Sequence, residues 1–201
     1  MTGKILLSTA YLPPIEYFSY IIKTDEVFIE REENYIKQSY RNRCYILSAG
    51  GVQLLTVPVY KGSFHKTPVK EIRIDYSKKW QKGHLRALNA SYKSSPFFIY
   101  YYENIEKIIL ADYEFLLDLN MALQKAILNI MKINVRIAYT ADFMPVSNNQ
   151  NDLRYTINPK KESGYIPMEY LQVFNTDKGF IPGLSIIDLL FNMGPEARNY
   201  L

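Results

Sequence analysis

The sequence predicts an α/β fold: an N-terminal βαβ unit with a mixed sheet, followed by a mainly helical C-terminal half packed on it. Three observations predict this. An apolar run, a double-proline turn, a helically spaced segment and a second apolar run succeed one another within about thirty residues. Two β-rich runs then flank Gly50-Gly51. Further on, Phe115, Leu116, Leu119, Leu123, Ala126, Ile127, Ile130 and Met131 make a wide apolar stripe at helical spacing.

Each element has a local reason. Residues 4–9 (KILLST) have strand length and apolarity. Pro13 and Pro14 end the strand, because proline gives a ladder no N–H donor. Residues 15–23 place Phe18, Ile21 and Ile22 at helical spacing, and residues 26–30 (EVFIE) read as the next strand. In such units ligands gather at the carboxyl ends of the strands, which directs attention to residues 8–14. Residues 43–47 and 53–59 predict an antiparallel hairpin. Residues 69–76 alternate with period two and predict a half-exposed strand. Residues 79–92 read as a helix, and residues 97–131 as two. Residues 135–139 suit a strand, and the polar stretch 146–165 suits a mobile loop. Ser185-Ile186-Ile187-Asp188 fits a capping box, with Gly194-Pro195 as the stop. Nothing divides the chain, so residues 1–201 are expected to form one domain.

Composition narrows the function classes. The 201 residues are 48% hydrophobic and 22% charged with net charge +4, which excludes disordered, collagenous and coiled-coil classes. One cysteine, Cys44, excludes a disulfide framework and multi-cysteine metal sites, and its apolar run suits a core position. No stretch is long and apolar enough to span a bilayer, and the N-terminus lacks a signal-peptide core; a cytoplasmic protein is expected. Tyrosine is abundant, 18 residues, and suits both cores and amphipathic ligands. Charge is unevenly spread. Between residues 60 and 95 there are nine cations (61, 66, 70, 73, 78, 79, 82, 86, 93) and two acids (71, 75). Such a stretch suits a phosphorylated ligand, an anionic membrane or nucleic acid, and it also suits plain alternating exposed charge. No helix-turn-helix, RNA-recognition strand or zinc finger supports nucleic acid as a partner. Glycine-rich phosphate loops, nucleophile elbows and zinc-protease motifs are absent too.

Three constellations are candidates for chemistry. In the first, Lys37, Arg41 and Arg43 lie among Tyr35, Tyr40 and Asn42. Guanidinium forks grip phosphate or carboxylate, and the same run also suits a solvated loop. In the second, Trp80 and His84 share one helical face, so the imidazole is a candidate base in a partly dry pocket. It equally suits a packed histidine bonded to a carbonyl; His65 is less committed. In the third, Asp188 is a base or ligand candidate that the capping box also explains. Two histidines and one cysteine argue against a histidine-rich metal site but not against a carboxylate one, and the cofactor is unknown.

These segments together resemble the WbqC-like family of bacterial proteins. The matching residues are Tyr11-Leu12-Pro13 with Tyr17-Phe18, Tyr35-Ile36-Lys37 running to Arg41-Asn42-Arg43, Leu55-Thr56-Val57-Pro58-Val59, Trp80 with His84, Tyr92 with Pro96-Phe97-Phe98, Asp118-Leu119-Asn120, and residues 185–195. The family's first strand typically runs Gln-Pro-x-Tyr-Leu-Pro; here Ser8-Thr9-Ala10 precedes Tyr11-Leu12-Pro13. The resemblance implies a place in surface-polysaccharide biosynthesis and a transferase that moves an aminoacyl or acyl group onto a sugar. A non-catalytic ligand- or partner-binding protein of the same pathway is the alternative. Under the transferase reading Arg41 and Arg43 hold the phosphate of an activated sugar or acyl donor. Tyr11, Tyr40 and Trp80 flank the ligand, and His84 deprotonates the acceptor.

Overall fold

The structure, a computed structural model, describes residues 3–60, 66–146, 151–174 and 179–201. It is an α/β fold. β1 (Lys4–Ser8), α1 (Ile15–Ile21) and β2 (Glu26–Glu30) form the βαβ unit, with Lys4 opposite Glu26 and Ser8 opposite Glu30 in parallel register. β5 (Arg136–Tyr139) pairs in parallel with the other edge of β2, giving the order β1-β2-β5. β2 is thus central, and its Val27 and Ile29 are wholly buried, as the middle of a parallel sheet requires. β3 (Arg43–Ser48) and β4 (Gly51–Thr56) form a separate antiparallel pair.

The helical half follows: α2 (Trp80–Tyr92), α3 (Phe98–Leu110), α4 (Leu116–Ile130) and α5 (Ile186–Met193). On α4, Leu116, Leu119, Leu123 and Ile127 are each fully buried, the three- and four-residue spacing of one helix face. α5 ends at Gly194, whose φ of 55° suits glycine. A side chain there would run into the Phe97 ring. A 3₁₀ segment, Gly194–Tyr200, closes the chain.

Two expected elements differ. Residues 69–76 form no strand. They hold two 3₁₀ turns, Val69–Glu71 and Tyr76–Lys78, joined by an extended piece. Its alternation is genuine, with Ile72 and Ile74 buried and Arg73 exposed. Yet among the described residues it makes only single bridges, Ile74 to Val59 and Arg73 to Phe115. Asp75 then accepts from Ser77 N–H at 2.9 Å and turns the chain away before a ladder can grow. The second difference is the polar stretch 146–165. Residues 147–150, like His65, lie outside the described residues, but residues 151–157 are packed rather than free. Leu6 N–H donates to Asn151 O and Leu153 N–H to Leu6 O, both at 2.9 Å, while Leu153, Arg154 and Ile157 are buried. This segment lines the edge of β1 that β2 leaves open.

The first and last helices are stitched together at their starts. Ile186 N–H donates to Pro13 O at 2.8 Å, and Ile15 N–H to Leu184 O at 3.1 Å. Ser185 Oγ donates to Leu12 O at 2.7 Å. Leu12, fully buried, sits at φ 40°, a left-handed backbone that a side chain tolerates only when its surroundings enforce it. These bonds hold the Tyr11-Leu12-Pro13 turn over the carboxyl end of β1. No helix among the described residues is long and apolar enough to cross a membrane.

Candidate functional site

The carboxyl end of β1 faces a buried polar network. Arg41 gives Nε and Nη2 to the two oxygens of Glu33 at 2.9 and 2.6 Å, a paired fork, and Nη2 also donates to Ser8 Oγ at 2.7 Å. Its other amino group, Nη1, makes none of these bonds. Ser8 Oγ donates onward to Arg154 O at 3.1 Å. Asn120, from α4, donates to Thr9 Oγ1 at 3.1 Å and to Arg41 O at 2.8 Å.

Arg154 is the second guanidinium of the network and is wholly buried. It forks onto Asp152, with Nε to Oδ1 at 2.8 Å and Nη2 to Oδ2 at 2.6 Å, and reaches Glu30 Oε2 with Nη1 at 3.1 Å. Glu30, at the end of β2, also accepts from Thr140 Oγ1 at 2.6 Å and from the N–H groups of Glu32 and Met144. The centre of the Tyr155 ring lies 5.9 Å from the Arg41 guanidinium carbon and 5.7 Å from that of Arg154, within cation–π range of both.

Two hollows share Tyr40 as a wall. The inner one has room for about one water molecule and is lined by Ser8, Thr9, Tyr17, Tyr40, Arg41 and Arg154 among others. The outer cleft has a volume of about 410 Å³. Pro14, Glu16, Tyr40, Lys161, Glu162 and Tyr165 are among its walls. Tyr40 belongs to both. Burial pushes its phenol up to about 12, with neighbouring Tyr45 adding to the shift. Burial also raises the Glu16 carboxyl, and a hydrogen bond from Ser163 draws it partly back.

The other expected site residues lie elsewhere. His84 lines neither hollow. Its Nε2 is 3.2 Å from Thr56 O, a carbonyl that can only accept, so Nε2 carries the proton. Nδ1 therefore accepts from Tyr11 O–H at 2.8 Å. Trp80 stacks edge-on to this pair, with ring centroids 5.0 Å from His84 and 6.3 Å from Tyr11. Tyr11, Trp80 and His84 are thus one buried cluster tying α2 to the turn after β1 and to β4, and the imidazole presents no free lone pair. Burial pushes its pKa down to about 4. Asn42 is buried and donates to Val57 O at 2.9 Å. Arg43 opens β3 half-buried, and Lys37 is exposed. Neither lines the hollows.

Asp188 is buried and lines neither of them. Ser185 caps α5 as expected, its Oγ accepting from Ile187 N–H at 3.3 Å, but Asp188 does not close a capping box. Ser185 N–H instead donates to Tyr45 O at 2.8 Å. Asp188 Oδ2 accepts from Tyr170 O–H at 2.6 Å and from Gln172 Nε2 at 3.3 Å. Burial raises the carboxyl, and these bonds pull it partly back. Because its folded pKa exceeds the unfolded one, the stabilisation it gives is complete at acid pH and is lost as pH rises through the raised value. Asp188→Asn is therefore expected to flatten that fall, with urea melts at acid and neutral pH as the measurement. Asp188→Ala, which strands the Tyr170 hydroxyl, is expected to cost about 1–3 kcal/mol.

Sequence reasoning missed Arg154, Glu30, Glu33 and Glu16. The signals present were slight: Asp152 two residues before Arg154, and a carboxylate closing an apolar strand.

Fold and site together define an α/β protein with a cleft of about 410 Å³ at the start of its first helix, just past the turn that follows β1. The chain matches the model of the WbqC-like protein family over residues 9–164 and 161–200, and belongs to that family. It is also 31% identical over 233 aligned positions to an uncharacterized protein of Mycobacterium tuberculosis (strain ATCC 25618 / H37Rv), covering 100% of this chain and 98% of that one. No solved structure matches it.

Proposed function

We propose that this protein binds a small ligand bearing an anionic group, of the class of activated sugar or acyl donors, in the cleft that Tyr40 shares with the Arg41 hollow. One observation carries the reading. A buried guanidinium whose Nη1 carries none of the fork's bonds stands beside two hydroxyls, Ser8 and Thr9, in a small hollow that shares Tyr40 with a cleft of about 410 Å³. Glu33 and Ser8 fix the fork, so little ordering is required when an anion arrives. Lys161 on the outer wall adds a second cation.

Transfer of an aminoacyl or acyl group onto a sugar, the reaction that the family resemblance implies, belongs in this same cleft. The base it needs is then Glu16, whose carboxyl is raised and stands on the wall, and not His84. The alternative, a non-catalytic ligand-binding protein of such a pathway, gains from the sealed imidazole. The two share the binding step.

Thermal shift and calorimetry against nucleotide-linked sugars, acyl phosphates and their neutral counterparts test it. An anionic ligand at a hundred times its Kd is expected to add about 2.7 kcal/mol of stability. Tyr40→Ala and Lys161→Ala are expected to weaken binding about tenfold or more. Wild-type protein indifferent to every anionic ligand of the class, or binding untouched in both variants, would refute the reading. Turnover that survives Glu16→Gln would remove the base while leaving the binding.

A further inference from the structure

Residues 76–102 carry five cations, Lys78, Lys79, Lys82, Arg86 and Lys93, and no acid. All five are exposed. None of them makes an ion pair among the described residues, although Lys70 and Arg73 just before them pair with Glu32 and Glu114. On α2 the spacing 82, 86, 93 puts three of them on one face, because a helix repeats every 3.6 residues. Lys78 and Lys79 extend the line at the helix start. The opposite face, Trp80, His84, Leu85, Leu88 and Tyr92, is the buried one. A run of like charges left unpaired costs stability through self-repulsion and attracts an anionic surface.

The shape selects which surface. The exposed side of α2 bears no aromatic residue between its cations, so it offers no stacking platform for nucleotide bases. It also has no large apolar side chain to bury against a protein. At the end of the α2–α3 hairpin, just beyond Lys93, Ile99 is 81% exposed and Tyr100 68%. Exposed isoleucine and tyrosine a few residues past a lysine suit the boundary between lipid headgroups and acyl chains. The shallow groove between α2 and α3 is lined by Lys82, Arg86 and Tyr102, with the Glu106 carboxylate engaged by the Tyr102 hydroxyl at 3.0 Å.

We propose that the exposed face of α2 docks the protein peripherally on an anionic lipid bilayer, with Ile99 and Tyr100 entering the interface. The contact is electrostatic first and apolar second. It is independent of the ligand cleft.

Co-sedimentation of the full chain with phosphatidylcholine vesicles, with and without phosphatidylserine, tests this. Binding is expected only to the anionic vesicles and is expected to disappear as salt rises to about 0.5 M. Lys82→Glu combined with Arg86→Glu should cut the bound fraction at least about tenfold. Ile99→Ser with Tyr100→Ser should weaken it by about threefold or more. All four residues are exposed, and unchanged circular dichroism and melting will establish that the variants are folded. No pelleting of wild type at low salt, or pelleting indifferent to the charge reversals, overturns the proposal. So does a single-stranded oligonucleotide that displaces the protein from vesicles at equal phosphate, since that marks a general polyanion site.

Discussion

Replacing Arg154 with methionine is expected to destabilise the protein by about 3–5 kcal/mol, a large part of the stability of an ordinary domain. The side chain is wholly buried, and so is its partner Glu30; Asp152 is nearly so. Removing the guanidinium leaves two carboxylates facing each other without their cation. It also strips Met144 O of its donor at 2.7 Å. The pair need not be a net stabiliser relative to an apolar core for this to hold; breaking it is what is costly. One control separates charge from packing. Arg154→Lys keeps the charge but not the fork, and is expected to lose less. Urea denaturation of wild type and the two variants reads the difference. A variant within about 1 kcal/mol of wild type at neutral pH would mean that the network carries little of the fold.

Acid should undo the His84 cluster with nearly comparable effect. The folded imidazole titrates near about 4, because burial disfavours its charged form. The unfolded one titrates near about 6.5. The stability this neutral histidine contributes is therefore complete above about pH 6.5 and falls away as pH drops through the window down to about 4. At about 1.4 kcal/mol per pH unit the loss reaches about 3 kcal/mol. His84→Gln should lack that slope, so wild type and variant should differ in the pH dependence of their denaturation midpoints. Tyr11→Phe removes the hydroxyl that donates to Nδ1 and is expected to cost about 1–3 kcal/mol at neutral pH. Parallel pH profiles for wild type and His84→Gln would contradict the burial argument.

Local chemistry made much of the architecture readable in advance. Residues 26–30 became β2 with those same bounds, and the double proline, the glycine turn and the Ser185 cap each stand where their side chains demand. Residues 69–76 show what pattern cannot supply. Period two correctly turned Ile72 and Ile74 inward, but a strand also needs a neighbour of matching length, and Pro58 and the Asp75 turn limit each pairing to one residue. The site was legible in part. Tyr40 and Arg41 proved to line the inner hollow, whereas the indole–imidazole pair at four-residue spacing turned inward as a bonded core unit. Arg154 was hidden in a run of asparagine, aspartate and tyrosine that composition assigns to solvent. Its burial depends on Glu30, 124 residues earlier, a relation that no local window contains.

The stitching of the first turn to the start of α5 bears on the order in which the protein is made. The acceptors Leu12 O and Pro13 O meet donors 173 residues or so further along, Ser185 Oγ and Ile186 N–H. A nascent chain leaving the ribosome therefore has its first strand and helix long before it can lock the corner between them. That corner closes only once residues 185 and 186 have emerged, so Pro182 and Gly183 just before them join the cleft wall late in synthesis.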